Sequence, residues 1–94
     1  MLIKHRQVKD KGLFFAEING NILAELVYTM PTPDRMIIEH TEVSDELQGM
    51  KVGNRLVKTA VEFARLKGLK ITALCPFASA EFGRHQEYGD VLFK

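Results

Sequence analysis

The stretch ELQGMKVGNRLVKTAVEFA, residues 46–64, decides the fold, because the hydrophobic period changes within it from that of a strand to that of a helix. From Val52 onwards, apolar residues recur at helical spacing and form one broad stripe, while polar residues occupy the remaining face. Gly68 is a typical residue to end such a helix. The stripe consists of Val52, Leu56, Val57, Ala60, Val61, Phe63 and Ala64.

Two glycines and two basic residues lie at the start of this predicted helix. Glycine weakens a helix interior by roughly 0.5–1 kcal/mol relative to alanine, so their presence needs a reason. The first N–H groups of a helix lack an internal partner and can bind a phosphate. Gly49 and Gly53 would let a phosphate approach the backbone, and Lys51 and Arg55 would add positive charge. Purely structural roles stay open as well: Gly49 ends a loop, or Gly53 allows close packing of helix on sheet.

Length and composition indicate one small domain, residues 1–94. The 13 basic and 12 acidic residues nearly balance, and the net charge of +1 argues against a nucleic-acid or membrane-surface partner. Cys75 is the only cysteine, which excludes an internal disulfide and a zinc site built on paired thiolates. The N-terminus is too charged for a signal peptide, and no apolar run reaches the roughly 20 residues of a membrane span. We therefore expect a cytoplasmic protein with no metal site.

The first half of the chain is typical of strands joined by tight turns. Lys11-Gly12 is expected to turn the chain, Asn19-Gly20 is a strong hairpin signal, and PTPDR at 31–35 predicts a further turn. These signals together predict an antiparallel meander. The predicted strands are residues 2–8, 13–19, 22–30 and 36–43.

The second half alternates between helix and strand. KITALC, residues 70–75, predicts a strand, Pro76 favours a second helix over about 77–84, and the tail QEYGDVLFK is expected to add a short edge strand. A strand–helix–strand order from 36–43 to 70–75 favours a right-handed parallel crossover. The predicted fold class is α+β, a mixed, mostly antiparallel twisted sheet with two helices.

Four separated motifs within residues 38–92 point to a family. QGMKVG at 48–53 resembles the [QR]-x-x-G-x-[GA] motif of the Gcn5-related N-acetyltransferases, with Lys51 in place of the central glycine. HTEV at 40–43 precedes it, and CPF at 75–77 and HQEY at 85–88 follow in order. The combination resembles the very small, single-domain branch of that family.

The resemblance implies a minimal acyl-CoA N-acyltransferase fold and transfer of an acetyl group from acetyl-CoA to an amine. Strands 36–43 and 70–75 would splay apart, and the pantetheine of coenzyme A would lie in the opening with its pyrophosphate on the helix N-terminus. The implied acceptor is a small polyamine-like amine or a protein or peptide amine. The residues implied in cofactor binding are Val43, Gln48, Gly49, Met50, Lys51, Val52, Gly53, Asn54, Arg55, Pro76 and Phe77.

His40 is the candidate general base for a direct transfer, because an unperturbed imidazole titrates near neutrality and His40 lies near the end of the strand that flanks the opening. Its alternative role is that of a histidine packed on the sheet and hydrogen-bonded to a backbone carbonyl. Glu39 and Glu42 are rival bases. Side chains alternate along a strand, so Glu42 should share a face with His40 and Glu39 should take the other.

Cys75 is the second catalytic candidate. It precedes a predicted helix, whose N-terminus would stabilise a thiolate, and it lies on the far side of the opening. It either accepts the acetyl group covalently, lines the pocket, or fills space in the core. His85 and Tyr88 either contact the cofactor, act as acid to the leaving thiol, or cap the last helix.

A second function stays open, that of a non-catalytic module that binds coenzyme A or a protein partner. The departure at Lys51 motivates it, and so does the small size of the chain. Ninety-four residues leave little room for helices that would wall an acceptor site, so we expect that site to be shallow. We expect a monomer or a weak dimer.

Overall fold

Five strands form one sheet in chain order in the computed structural model, which describes residues 1–94. The first four strands are antiparallel neighbours, and the fifth is parallel to the fourth. The predicted mixed α+β fold is therefore confirmed. The strands are β1 (Ile3–Val8), β2 (Lys11–Ile18), β3 (Asn21–Thr32), β4 (Arg35–Val43) and β5 (Lys70–Ala73), and the helices are α1 (Val52–Lys67) and α2 (Pro76–Arg84).

Of the two turns predicted from glycine-containing pairs, one is confirmed and one is wrong. Asn19 and Gly20 both have positive φ, as the predicted two-residue turn requires. The prediction of a turn at Lys11-Gly12 was wrong, because the chain turns two residues earlier, at Lys9 and Asp10, and Gly12 lies inside β2. A Cβ at Gly12 would come within 2.4 Å of the Tyr28 ring, so this glycine is required by packing across the sheet.

The core lies between the helices and one face of the sheet, which we call the helix face. The side chains of Leu26, Tyr28, Met36 and Ile38 point to it and are fully buried. The stripe predicted from Val52 onwards packs against them, since seven residues of α1 are buried. The opposite side, here the open face, carries no helix. Neither α1 nor α2 has the length and the apolar composition that a membrane-spanning helix needs.

The pairing of β4 with β5 is short. It covers only Arg35–Ile38, while β4 continues to Val43 beside β3. The N–H groups of Leu74 and Cys75 both donate to the Ile38 carbonyl, so the chain turns away from β4 there. The strand predicted over 70–75 therefore ends at Ala73, and the two strands part beyond Ile38.

The C-terminal tail does not form the expected edge strand. Residues Gln86–Asp90 make a short 3-10 helix, and Leu92 adds one parallel bridge to Ile71. Arg65 of α1 holds this tail through two hydrogen bonds to the Asp90 carboxylate, at 2.6 and 2.9 Å.

Candidate functional site

The start of α1 leaves three backbone N–H groups without a partner. The first hydrogen bond of the helix runs from the Arg55 N–H to the Lys51 carbonyl, and the N–H groups of Val52, Gly53 and Asn54 donate to no protein acceptor. We call these three groups the free amides. Lys51 is the N-cap residue and has left-handed backbone with φ 58°, but its side chain does not cap the helix. The first turn contains no acidic residue that would compete with an anion.

A cleft of about 350 Å³ opens at this helix start and reaches the parted end of β4. All but three of the residues that the sequence implicated in cofactor binding line it. Thr41 and Leu47 also line it and were not predicted. The lining consists of Thr41, Val43, Leu47, Gln48, Gly49, Lys51, Val52, Gly53, Asn54 and Phe77.

Three predicted cofactor-binding residues lie outside the cleft. Met50 is exposed, and Arg55 donates from its guanidinium to the Met1 carbonyl at 2.8 Å. Pro76 begins α2 and does not line the cleft. Positive charge at the mouth therefore comes from Lys51, whose ammonium forms no ion pair within the chain.

The two glycines of the motif have different physical roles. Gly49 has φ 83° and open space around the position of a Cβ, so it is required by backbone conformation. A Cβ at Gly53 would lie 2.9 Å from the Phe77 ring and 3.6 Å from Val43. Close packing therefore explains Gly53, but the tight contact is with Phe77 of α2, whereas the alternative predicted from the sequence was packing of the helix on the sheet. This packing brings Phe77 to the wall of the cleft.

Cys75 lies behind the cleft wall, at the N-cap of α2. Its thiol is buried and donates to the Thr41 hydroxyl at 3.4 Å. Burial raises the pKa of the thiol, but the Thr41 hydroxyl and the first amides of α2 favour the thiolate more strongly, so the pKa lies below its usual 9.0. Cys75 thus combines a lowered pKa with burial in the hydrophobic core, of which it is a member.

His40 lies on β4 next to Thr41, but its side chain is on the other face of the sheet. Thr41 pairs with Leu26 and faces the helices, whereas His40 pairs with Val27 and projects from the open face. Its Nε2 is 3.2 Å from a Glu42 carboxylate oxygen, and the side chain is about half exposed. His40 and Cys75 are therefore separated by the sheet, and the structure does not bring them into contact.

Glu39 also reaches the open face, contrary to simple alternation. It has no partner in the register between β3 and β4, because the pairing shifts between Val27 and Tyr28. This bulge turns the Glu39 carboxylate to the Thr29 hydroxyl, which donates to it at 2.9 Å. The bulge lies at the point where β5 leaves β4.

His85 and Tyr88 lie at the other end of α2. Neither residue lines the cleft, although the His85 ring lies 3.6 Å from the same Glu81 oxygen to which Asn54, a cleft residue, donates. Their rings stack with centroids 4.7 Å apart, and the His85 N–H donates to the Glu81 carbonyl. These contacts fit a structural cap, the simplest of the roles considered for them.

Sequence reasoning missed Glu81, which is fully buried on α2. Its carboxylate accepts a hydrogen bond from the Asn54 side chain at 2.7 Å. Asn54 was predicted to bind the cofactor, and its side chain is thus engaged while its backbone N–H remains free. A glutamate in a short helix gives no sequence signal of burial.

Comparison with known families decides the assignment. Residues 13–91 match the model of a family described as GCN5-related N-acetyl-transferase. The chain belongs to this family. The resemblance seen in the four motifs is confirmed, and so is the acyltransferase type of fold. A comparison with curated proteins gave no match.

Solved structures agree with the family assignment. The chain is 38% identical to a GCN5-like protein from Staphylococcus aureus, covers 87% of it over 96% of its own length, and superposes with a TM-score of 0.71. Two larger acetyltransferases have low sequence identity to this chain, and the comparison with them supports only a common fold. An Elizabethkingia anophelis acetyltransferase with acetyl-CoA bound is 20% identical with a TM-score of 0.61, over 84% of this chain and 53% of that chain. The Escherichia coli ribosomal-protein-S18-alanine N-acetyltransferase is 16% identical with a TM-score of 0.68, over 83% and 53%.

Proposed function

We propose that this GCN5-related chain is an acetyl-CoA-dependent N-acetyltransferase that moves the acetyl group to an amine. The observation that carries the proposal is the set of free amides at the start of α1, which opens into a cleft beside two parting strands. A helix N-terminus of this kind is suited to a diphosphate. A family member with acetyl-CoA bound supports the choice of cofactor.

The residues of the cleft fit coenzyme A in their chemistry. The free amides would bind the diphosphate, and the unpaired ammonium of Lys51 would add a charge. Val43 and Phe77 would contact the pantetheine with apolar surface, between β4 and the start of α2. The backbone of β4 beyond Ile38 has no strand partner on the β5 side, and the pantetheine amides would bond to it there. The Gln48 side chain donates to the Val43 carbonyl at 3.2 Å, so the cofactor would share or displace that contact.

His40 is the proposed general base for direct transfer. Acetyl-CoA supplies an acetyl group activated as a thioester. His40 would accept the proton that the amine loses as its nitrogen bonds to the acetyl carbon, and Glu42 would stabilise the resulting imidazolium. The bond between the acetyl carbon and sulfur would break, and coenzyme A would leave as its thiolate. This assignment requires the amine to approach from the open face while the cofactor enters from the helix face.

The open face also suits a cationic acceptor. The carboxylates of Glu25 and Glu42 surround His40, with ligand atoms within 4.8 Å of one another. They would attract a protonated amine, whose proton must be removed before attack. We therefore propose a small polyamine-like amine or an exposed protein or peptide amine as acceptor.

Cys75 does not line the cleft, and we propose that it acts at the same site either by supporting the lining residue Thr41 from behind or as a covalent acetyl carrier. In the covalent case its thiolate would displace the coenzyme A thiolate, and the amine would then displace Cys75. Intact mass after incubation with acetyl-CoA separates the two roles. A covalent carrier gains one acetyl group that Cys75→Ala lacks, whereas full turnover by Cys75→Ala would end the covalent role.

The test of the proposed function is binding followed by turnover. Acetyl-CoA at 100 times its dissociation constant should stabilise the fold by about 2.7 kcal/mol, measured as a rise in Tm. Lys51→Glu should weaken binding, because it reverses a charge at the cleft. Lys58→Glu makes the same change on an exposed position further along α1 and serves as the matched control.

The non-catalytic alternative makes a different prediction in the same experiments. The match covers only 53% of each of two larger acetyltransferases. We therefore expect fewer structural elements around the acceptor site of this chain. A binding module would show the Tm rise but release no thiol across a panel of amines. Absence of the Tm rise at millimolar acetyl-CoA would contradict both the enzyme and a coenzyme A-binding module, and would leave only a module that binds a protein partner.

A further inference from the structure

Glu81 is the one charged residue of the chain that is fully buried. Removing a carboxylate from water is costly unless hydrogen bonds and charges compensate it. Replacement by a well-packed apolar side chain is often neutral or stabilising in such cases. A stabilising role alone therefore explains this residue poorly.

The contacts of Glu81 compensate the cost of its burial, and only one of them joins α2 to another element. Arg84 donates to one carboxylate oxygen at 2.8 Å, and the His85 ring lies 3.6 Å from the other. Both belong to the end of α2 itself. Asn54 alone comes from a different element, and it donates at 2.7 Å. Burial raises the pKa of Glu81, but the hydrogen bonds from Asn54 and Arg84 outweigh it and keep the carboxyl ionised at neutral pH.

The Asn54–Glu81 bond lies beside the free amides. Asn54 follows Gly53, whose backbone packs on the Phe77 ring, and Phe77 lies one helical turn before Glu81 on the same face of α2. Two adjacent residues of α1 thus meet two residues of α2. The apolar contact sets a distance without a direction, whereas the hydrogen bond sets both.

We propose that Glu81 is a positioning residue, which holds the first turn of α1 and its free amides in a fixed place relative to Cys75 at the start of α2. The inference rests on the proposed function, because the positioned turn is the one that would bind the diphosphate. Glu81 itself lies behind the cleft and does not line it.

The experiment removes the bond from either side. Glu81→Leu and Asn54→Ala should each raise the Kd for coenzyme A and the KM for acetyl-CoA by about tenfold or more, since small displacements of a binding group cost much affinity. The double variant should lose no more than either single one, because both remove the same interaction. Glu81→Gln keeps an acceptor for Asn54 and should stay within about threefold of wild type.

Val61→Ala is the matched control for a loss of stability alone, since Val61 is fully buried in the core and does not line the cleft. It should lower Tm and leave the Kd unchanged. A Glu81→Leu variant that binds coenzyme A as tightly as Val61→Ala would overturn the inference. If Glu81→Leu does not fold, Glu81→Met takes its place in the same measurement, because Asn54 lines the cleft and Asn54→Ala alone also alters the binding surface. If wild type binds no coenzyme A, the proposed function fails with the inference; if wild type and variants bind equally, only the inference fails.

Discussion

The two ends of α1 share a left-handed cap residue but differ in every other respect. At the C-terminal end, Gly68 has φ 71°, and its N–H donates to the Ala64 carbonyl. Arg65 and Lys67 place positive charge in the last turn, where the helix dipole favours it. At the N-terminal end, Lys51 holds a similar backbone conformation at a position that favours glycine, with no side-chain cap and no acidic residue in the first turn.

The N-terminal end of α1 lacks the stabilising cap and the favourable charges that are present at its C-terminal end. Serine, threonine or aspartate at an N-cap typically contributes about 0.5–2 kcal/mol. The chain uses such a cap immediately upstream, where the Ser44 hydroxyl accepts from the Glu46 N–H at 3.4 Å. The longer helix has none. We infer that stability is given up at this end to keep the amides available to an anion.

Gly53→Val should have the largest effect and should damage stability and binding together. The new Cβ would lie within 3.0 Å of the Phe77 ring, and overpacking of this kind costs about 1–3 kcal/mol. The free energy of unfolding in urea and a coenzyme A titration measure the two effects. Wild-type stability in this variant would show that the Gly53–Phe77 contact is not tight.

Gly68→Val tests the opposite end and should damage stability alone. A branched side chain in left-handed backbone should cost about 1–2 kcal/mol, with unchanged affinity for coenzyme A. Gly68→Asn is the control, since asparagine tolerates this conformation better. Weakened binding by folded Gly68→Val would show that the two ends are not independent.

Lys51→Gly should raise the stability of the fold while it weakens the binding of coenzyme A. It relieves the positive φ and should raise stability by up to about 1 kcal/mol. It also removes a charge from the cleft and should weaken coenzyme A binding by up to about fivefold, as for an exposed ion pair. Tm without ligand and Kd by titration are the two measurements. A loss of stability would contradict the interpretation of this residue as strained.

The smallest expected effect is on the pH dependence of stability, through the ion pair between Arg65 in the last turn of α1 and Asp90. The hydrogen bonds from Arg65 lower the pKa of Asp90 below its usual 3.8. The bound proton is therefore disfavoured in the folded state, so the stabilisation is present above pH 3.8 and is lost as the pH falls through the lower folded value. Arg65→Ala should make the stability less dependent on pH in this range. An unchanged acid-unfolding curve would show that the exposed pair contributes nothing.

Local chemistry accounts for what the sequence predicted well. The Asn19-Gly20 turn, the apolar stripe of α1 and the stop at Gly68 depend on residues close in the chain. The structure adds that no side chain caps the helix before Val52 and that the amides there are free.

The errors and omissions depend on contacts between distant residues. Lys11-Gly12 gives a false turn signal, because the Tyr28 ring that requires Gly12 lies on another strand. The open-face position of Glu39 depends on a bulge in the pairing of β3 with β4. Glu81 became visible only when α2 was placed against α1. The catalytic roles of His40 and Cys75 stay predictions.

The most direct test follows the amide signals of Val52, Gly53 and Asn54 by NMR during titration with coenzyme A and, separately, with pantetheine, which lacks the diphosphate. We predict that these three amides shift most with coenzyme A and little with pantetheine, which should also bind more weakly. Equal binding of both compounds, or coenzyme A bound with these amides unmoved, would contradict the claim that the start of α1 is kept open for a diphosphate.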